Sequence, residues 1–575
     1  MITPVLQKHI QNAVKSLGIS VDEVHLEHPA EESHGDYSSN IAMAIFSKSK
    51  IQNSRELAQK IVDELHKDEE LKQLVSRIEI AGPGFINFWL SEEYLYDVLR
   101  TIIVDTVQIP SYVLGSNKKV LVEFAHFNTH KAVHIGHMRN ITLGESISRI
   151  LERLGNTVVR VSYGGDVGMH IAKCLFSIRK QGIFLKDAAN MSLNEKTKLL
   201  ANAYKTGNDA YEDDEKSKKE IIEINKKIYQ GDPETMSLWK ETKKWSLDQF
   251  DRIYQRVNTT FDRLYYESEV FQRGLKLSQK ALGKNILQKS EGAVVFDGKP
   301  FGLDTRVFIT SEGNPTYEGK ELGIAELEFR DYPDIDKCIH VVAPEQASFF
   351  AVTFKVEELL DPGKYAGKQY HFPYGYVRLT SGKMSSRKGT FVLGEWLLDE
   401  VVKKITEKFT NVSSSAAEII AVGAVKYSFL KIDSRQDISF DIDESVSVEG
   451  NSGPYLQYTY ARCKSVMSKS QTANSIQHTA TTPVQTLTHE ELIILRTLYK
   501  FPEVVYDAGR TFSPNLICNY LYDIAQKYNL FYQKVSILNA ENEEAKMFRL
   551  SLTNATAQVL KNGLTLLGID VLEKM

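Results

Sequence analysis

The stretch that decides the fold is Lys119-Val120-Leu121-Val122-Glu123-Phe124 and, after a short loop, His134-Ile135-Gly136-His137-Met138-Arg139. The first part is a short apolar run, consistent with a strand buried in a parallel sheet. Beyond the loop, Ile141, Leu143, Ile147, Ile150, Leu151 and Leu154 recur at helical spacing. A second apolar run, Val158-Val159-Arg160-Val161, follows. Strand, loop, helix and strand in this order form a βαβ unit, which predicts a doubly wound nucleotide-binding fold.

Working outward, residues 1–110 read as a small α/β unit. Val5, Leu6, Ile10, Val14 and Leu17 predict an opening amphipathic helix. The turn-rich His34-Gly35-Asp36-Tyr37 comes next, then one long helical pattern from Asn40 towards His66. Ile78-Glu79-Ile80 predicts a strand, Ala81-Gly82-Pro83-Gly84 must turn, and Phe85 to Leu90 alternates like a strand. Residues 111–395 carry the nucleotide fold, split by a Lys- and Glu-rich helical insertion at about 185–260. Strand-like segments resume at 293–296, 307–309 and 339–342. Residues 396–575 read as helical throughout. The fold class is thus multidomain α/β plus α: a split Rossmann-like (HUP-type) domain, a small N-terminal α/β domain and an all-helical C-terminal domain.

Composition narrows the function classes. With 575 residues, 42% hydrophobic and 25% charged, the chain reads as a soluble protein of several domains. No apolar run approaches the roughly 18 residues that span a bilayer, and Met1 to Ser20 lacks a secretory apolar block. A cytoplasmic location is expected. The four cysteines, Cys174, Cys338, Cys463 and Cys518, form no CxxC pair. They predict neither a disulfide framework nor a paired-cysteine zinc site. The net charge of −4 gives no bulk support for nucleic-acid binding, so such a partner would need local basic patches.

Two motifs carry chemistry. His134 and His137, three apart at a helix start, share one face and add donors to backbone N–H groups that already favour phosphate. Gly136 lets a flat adenine lie close to the backbone. Far downstream, Lys383-Met384-Ser385-Ser386-Arg387-Lys388-Gly389 is a short cationic loop ending in glycine. Its cations can follow the charge that develops as pyrophosphate leaves.

In this order, on either side of a split nucleotide fold, the two motifs resemble the HIGH and KMSKS signatures of class I aminoacyl-tRNA synthetases. Ser386 stands where the second lysine is usual, which leaves the second cation open between Arg387 and Lys388; Lys131 is a further candidate. Within that class the chain resembles arginyl-tRNA synthetases over nearly its whole length, the insertion excepted. The resemblance rests on His34 to Tyr37, Ala81 to Asn87, Val122-Glu123-Phe124 with Asn128 and Lys131, Gly165-Asp166-Val167-Gly168, Gly453-Pro454-Tyr455-Leu456-Gln457-Tyr458 to Arg462, and the ending from Asn562 to Met575.

That resemblance implies ATP-dependent formation of arginyl-adenylate and transfer to the terminal adenosine of tRNA(Arg). It places ATP on His134, Gly136, His137, Lys383, Met384 and Ser385. It places the catalytic charges on His134, His137, Lys383, Arg387, Lys388 and Lys131. Glu123 and Asn128 would hold the α-amino and carboxylate end of arginine, Tyr317 and Glu321 would face its guanidinium, and Gln346 would complete the site. Glu321 stands where the family usually has aspartate, and Phe349 where histidine is more usual. Mg²⁺ would accompany ATP, with no zinc and no protein metal cage. Tyr455, Tyr458 and Arg462 would contact tRNA, and the resemblance implies a monomer with no membrane partner. Two other readings stay open on the sequence: a non-catalytic tRNA-binding paralogue, and a class I synthetase for another amino acid.

Overall fold

The computed structural model describes residues 1–49, 51–104, 117–182, 188–380, 392–409, 411–470 and 487–575. Five parallel strands form the central sheet: β4 (Lys119–Glu123), β5 (Thr157–Gly164), β6 (Arg263–Tyr266), β10 (Lys337–Val342) and β11 (Gln369–Pro373). Their spatial order is β11-β10-β4-β5-β6. Chain order therefore reverses between β4 and β10, and the crevice beyond the strand ends at that reversal is where such folds bind ligands. The Ile135–Arg153 helix crosses back between β4 and β5. Its Asn140 stitches the reversal point: the side-chain oxygen accepts from Ala125 N–H at 2.5 Å, and the amide donates to the Val341 carbonyl at 2.6 Å.

The N-terminal unit packs an antiparallel sheet of β1 (Tyr37–Ser39), β2 (Val75–Ala81) and β3 (Phe85–Leu90), ordered β1-β3-β2, against its helices. The single helix expected from Asn40 to His66 is broken. Ile41–Ile45 and Ser54–Leu65 are separate α-helices, and Asn53 starts the second by accepting from Glu56 N–H at 2.8 Å. Leu193–Asp213, Glu215–Gln230 and Pro233–Arg256 form long helices between β5 and β6.

Two expectations about strands change. The strands at 293–296 and 307–309 stay out of the parallel sheet. They are β8 (Ala293–Phe296) and β9 (Arg306–Ile309), which join β7 (Gln288–Ser290) in an antiparallel sheet, with Val294, Phe296 and Phe308 in one core with Val352 and Val356. The C-terminal region also contributes a strand. β13 (Ile438–Phe440) pairs in parallel with β12 (Val377–Leu379). Three residues are too few to show alternation in the sequence.

Candidate active site

The cleft at the strand reversal has a volume of about 650 Å³ and is lined by Glu123, Asn128, His134, Gly136, His137, Tyr317, Glu321 and Gln346, among others. Glu123 ends β4, and the others come from loops or the first turns of helices beyond the strand ends. The loop after β4 is tightly constrained: Ala125, His126 and His130 all have positive φ. Non-glycine residues in that region carry strain that surrounding structure must hold.

His134 is the N-cap of the Ile135–Arg153 helix, and its backbone N–H donates to His137 Nδ1 at 3.1 Å. His137 Nδ1 is therefore an acceptor, so the other ring nitrogen carries the proton and is the one left to donate. Burial, then the neighbouring His134, holds His137 well below the ordinary histidine value, so it acts as a neutral donor. The two rings lie 3.8 Å apart, centre to centre. A Cβ on Gly136 would stand 3.0 Å from the His134 ring. The glycine thus makes room for the histidine ring as well as for any ligand.

Asn128 Oδ1 accepts from Gly165 N–H at 2.8 Å, and a Cβ on Gly165 would come within 2.5 Å of that oxygen. With its oxygen engaged, Asn128 offers the cleft an amide N–H. Glu123 closes β4 and is 3% exposed. Burial opposes its charge, but His340, in register with it on β10, and His126 hold it down to about 2. Thr316 caps the Tyr317–Asp331 helix by accepting from Gly319 N–H at 3.4 Å. Tyr317, its first residue, is 72% exposed, whereas Glu321 one turn on is buried. Burial, then Glu123, pushes Glu321 well above the usual carboxylate range. Gln346 is exposed at the rim, and Phe349 also lines the cleft.

Lys131 lies on an adjoining groove with Lys198, Arg252 and Trp396, its ammonium 5.6 Å from the Tyr204 ring. Lys383, Met384, Ser385, Ser386, Arg387 and Lys388 lie outside the described residues. The residues flanking them are tied to the fold, those that follow directly to the cleft wall. Thr380 N–H donates to the Phe440 carbonyl, Ile135 N–H donates to Val392 O at 2.8 Å, and His134 bridges Leu393.

Sequence reasoning missed Tyr163, Glu267 and His126, which also line the cleft. All three lie at or just past the C-terminal ends of parallel strands β5, β6 and β4. The rule that ligands bind beyond those ends was the available signal. Glu267 pairs with Lys320 at 3.1 Å.

Among the described residues, Glu328, Cys338 and His340 form one compact group of potential ligand atoms. Those atoms already engage one another: Cys338 Sγ approaches Glu328 at 3.8 Å and His340 Nε2 at 3.3 Å, and Nε2 meets Gln369 Oε1 at 2.9 Å. The group reads as a hydrogen-bonded cluster.

A second groove, in the helical C-terminal region, is lined by Tyr458, Arg462, Lys464, Lys469, Tyr532 and Lys574, among others. The Arg462 guanidinium lies 4.9 Å from the Tyr458 ring and 5.0 Å from that of Tyr532. Tyr455 is half-buried beside it, its hydroxyl accepting from Asn529 at 2.9 Å. Tyr460 belongs to the core. No described helix is long and apolar enough to cross a membrane.

Comparison with known proteins agrees along the whole chain. The model of the arginyl tRNA synthetase N terminal domain matches residues 4–90, that of the class I (R) tRNA synthetase catalytic domain residues 98–442, and that of the DALR anticodon binding domain residues 456–575. The arginine–tRNA ligase of Flavobacterium psychrophilum is 31% identical, covering 99% of each chain. That of Bacteroides thetaiotaomicron is 34% identical over 86% of each. The solved Thermus thermophilus arginyl-tRNA synthetase superposes with a TM-score of 0.80 over all of both chains, at 25% identity. With matched models over all three regions and relatives above 30% identity along its length, the chain belongs to the arginyl-tRNA synthetases, the arginine–tRNA ligases of class I.

Proposed function

We propose that the cleft at the strand reversal is where arginine meets ATP, and that its residues divide the work as follows. The reaction needs no enzyme nucleophile: the arginine carboxylate attacks the α-phosphate of ATP, and pyrophosphate leaves. Positioning and charge stabilisation carry the step. His137, a neutral donor, and His134 receive the phosphates of ATP, which enters with Mg²⁺ on its own oxygens. Gly136 lies under the adenine. Lys383, with Arg387 or Lys388, meets the charge on the departing pyrophosphate. Lys131, on the adjoining groove, acts from the side.

The amino acid is held by complementary groups. Glu123, an acceptor, takes the α-ammonium, and the Asn128 amide N–H takes the carboxylate. Tyr317, Glu321 and Gln346 face the guanidinium, whose fixed fork of donors matches acceptors set apart. A lysine ammonium cannot satisfy that spacing and would leave a buried carboxylate unpaired. The adenylate is then attacked by the 2′-hydroxyl of the terminal adenosine of tRNA(Arg). The C-terminal groove, with Tyr458 and Arg462 at its wall and Tyr455 beside it, takes unpaired bases of that tRNA. The enzyme works as a cytoplasmic monomer, and bound tRNA orders the site before activation.

The observation that carries this reading is the convergence of Glu123, Asn128, His134, His137 and Glu321 on one cleft. Arginine-dependent ATP–pyrophosphate exchange tests it, run with and without tRNA and with lysine and citrulline as competitors. Exchange specific to arginine and dependent on tRNA is expected. Exchange without tRNA removes the ordering step. No exchange from folded, tRNA-binding protein would overturn the assignment of the cleft.

A further inference from the structure

Behind Glu123 the protein buries more carboxylates than the cleft itself uses. Glu328 and Glu357 are 0% and 1% exposed, and with Glu123 and Glu321 they surround one fully buried imidazole, His340. The groups facing His340 come from every neighbouring element: Glu123 and His126 from β4 and its loop, Glu321 and Glu328 from the Tyr317–Asp331 helix, Glu357 from the Ala347–Leu360 helix, and Cys338 and His371 from β10 and β11.

The hydrogen bonds fix the state of that imidazole. Gln369 Nε2 donates to Glu357 at 2.7 Å, so Gln369 Oε1, 2.9 Å from His340 Nε2, is an acceptor and Nε2 carries a proton. The other ring nitrogen, Nδ1, stands 3.3 Å from Glu123 Oε2. A bare lone pair there would face a carboxylate. A second proton turns that repulsion into an ion pair, although the geometry is not that of a hydrogen bond. The Cys338 thiol is pushed up by burial and stays neutral, so the anion beside the ring is Glu123. Burial opposes the charged imidazole, and with the thiol neutral it is the Glu123 carboxylate beside Nδ1 that raises it above the ordinary histidine value. The rings of Phe350 and Phe354, at 5.1 and 5.3 Å, wall it from solvent.

We propose that His340 is a positioning residue of the arginine site, a buried imidazolium that keeps Glu123 ionised and aimed into the cleft through the Glu357–Gln369–His340–Glu123 chain. Like the assignment of Glu123 to the α-ammonium, on which it rests, it concerns amino-acid binding rather than ATP. His340 touches no substrate; it sets the charge of the group that does.

The test compares Glu123→Gln and His340→Asn in the tRNA-supported exchange assay. For His340→Asn the arginine KM should rise tenfold or more, with the ATP KM within twofold and thermal stability near that of the parent. His340→Gln should show the same split. An arginine KM within twofold of the parent in folded His340→Asn overturns the proposal while leaving the Glu123 assignment intact. An unchanged arginine KM in Glu123→Gln sinks that assignment and this inference together. Should both His340 variants fail to fold, ¹⁵N-histidine spectra of the parent enzyme decide. One histidine should keep both ring nitrogens protonated from pH 6 to pH 8.5; the absence of any such ring overturns the proposal.

Discussion

Glu123 and Arg139 are both buried charges near the start of the same βαβ unit, and the protein treats them differently. Both terminal nitrogens of Arg139 are saturated: one donates to the carbonyls of Gly375 and Tyr376, the other to those of Ser434 and Gln436, at 2.5 to 3.1 Å, and Nε alone is left without a partner among the described residues. Asp36, buried between the N-terminal unit and the helical region, is likewise matched, accepting from Leu90 N–H at 2.8 Å and Arg496 at 3.0 Å. Around Glu123, by contrast, carboxylates outnumber cations, and Glu123 Oε2, Glu328 Oε1 and Glu357 Oε1 are buried without a hydrogen bond. Charge that folding satisfies holds elements together. Acids that folding leaves short of partners and uncharged mark where a cationic ligand belongs, because a buried carboxylate is costly until a charge of opposite sign meets it.

The comparison can be broken at either end. The largest effect is expected at Glu321→Gln, which removes a buried acid that can ionise only against a bound cation. Arginine binding should weaken by about ten- to a hundredfold and the preference for arginine over citrulline should narrow, while thermal stability holds or rises. Competition in the exchange assay together with a melting curve reads both. A loss of stability without a change in discrimination would place Glu321 with the structural charges. Next comes Arg139→Met, which leaves the Gly375 and Gln436 carbonyls without their guanidinium donor, while those of Ser434 and Tyr376 still accept from Gly375 and Ile438 N–H. It should lower unfolding free energy by about 3–5 kcal/mol in urea titrations, with the arginine KM of the remaining folded enzyme unchanged.

The smallest effect tests a matched cation through pH. Lys426 is fully buried, donating to the carbonyls of Val257 and Gly568 at 2.5 and 2.7 Å. Burial, then Arg149, lowers it to about 7. A lysine in the unfolded chain titrates near ~10.4. Between those values the unfolded chain binds the extra proton, so this group makes stability rise as pH climbs from 7. The urea midpoint of the parent should therefore gain more between pH 7 and pH 9 than that of Lys426→Met. Parallel curves for the two would show that the amine stays charged throughout.

Much of this protein was legible in one dimension because its determinants are local. The apolar run Val120–Val122, the histidines at a helix start and the glycine between them are set by short-range sterics and hydrogen bonding, and they stand at β4 and the N-cap of the Ile135–Arg153 helix as their spacing requires. Glu321 and Tyr317 could be paired because four residues make one helical turn. What only the tertiary structure decided depends on elements far apart in the chain. The β8 and β9 strands could have joined either sheet, and the core they share with the Ala347–Leu360 helix chose the antiparallel one. Tyr163 and Glu267 became cleft residues because β5 lies beside β4 and β6 beside β5, with all three ending on one side of the sheet. His340 and Glu123, more than two hundred positions apart, face each other only through the register of β10 on β4. Residue type and spacing carry the chemistry that neighbours in the chain can build; strand order and register, set by packing, decide which distant charges must share one buried space.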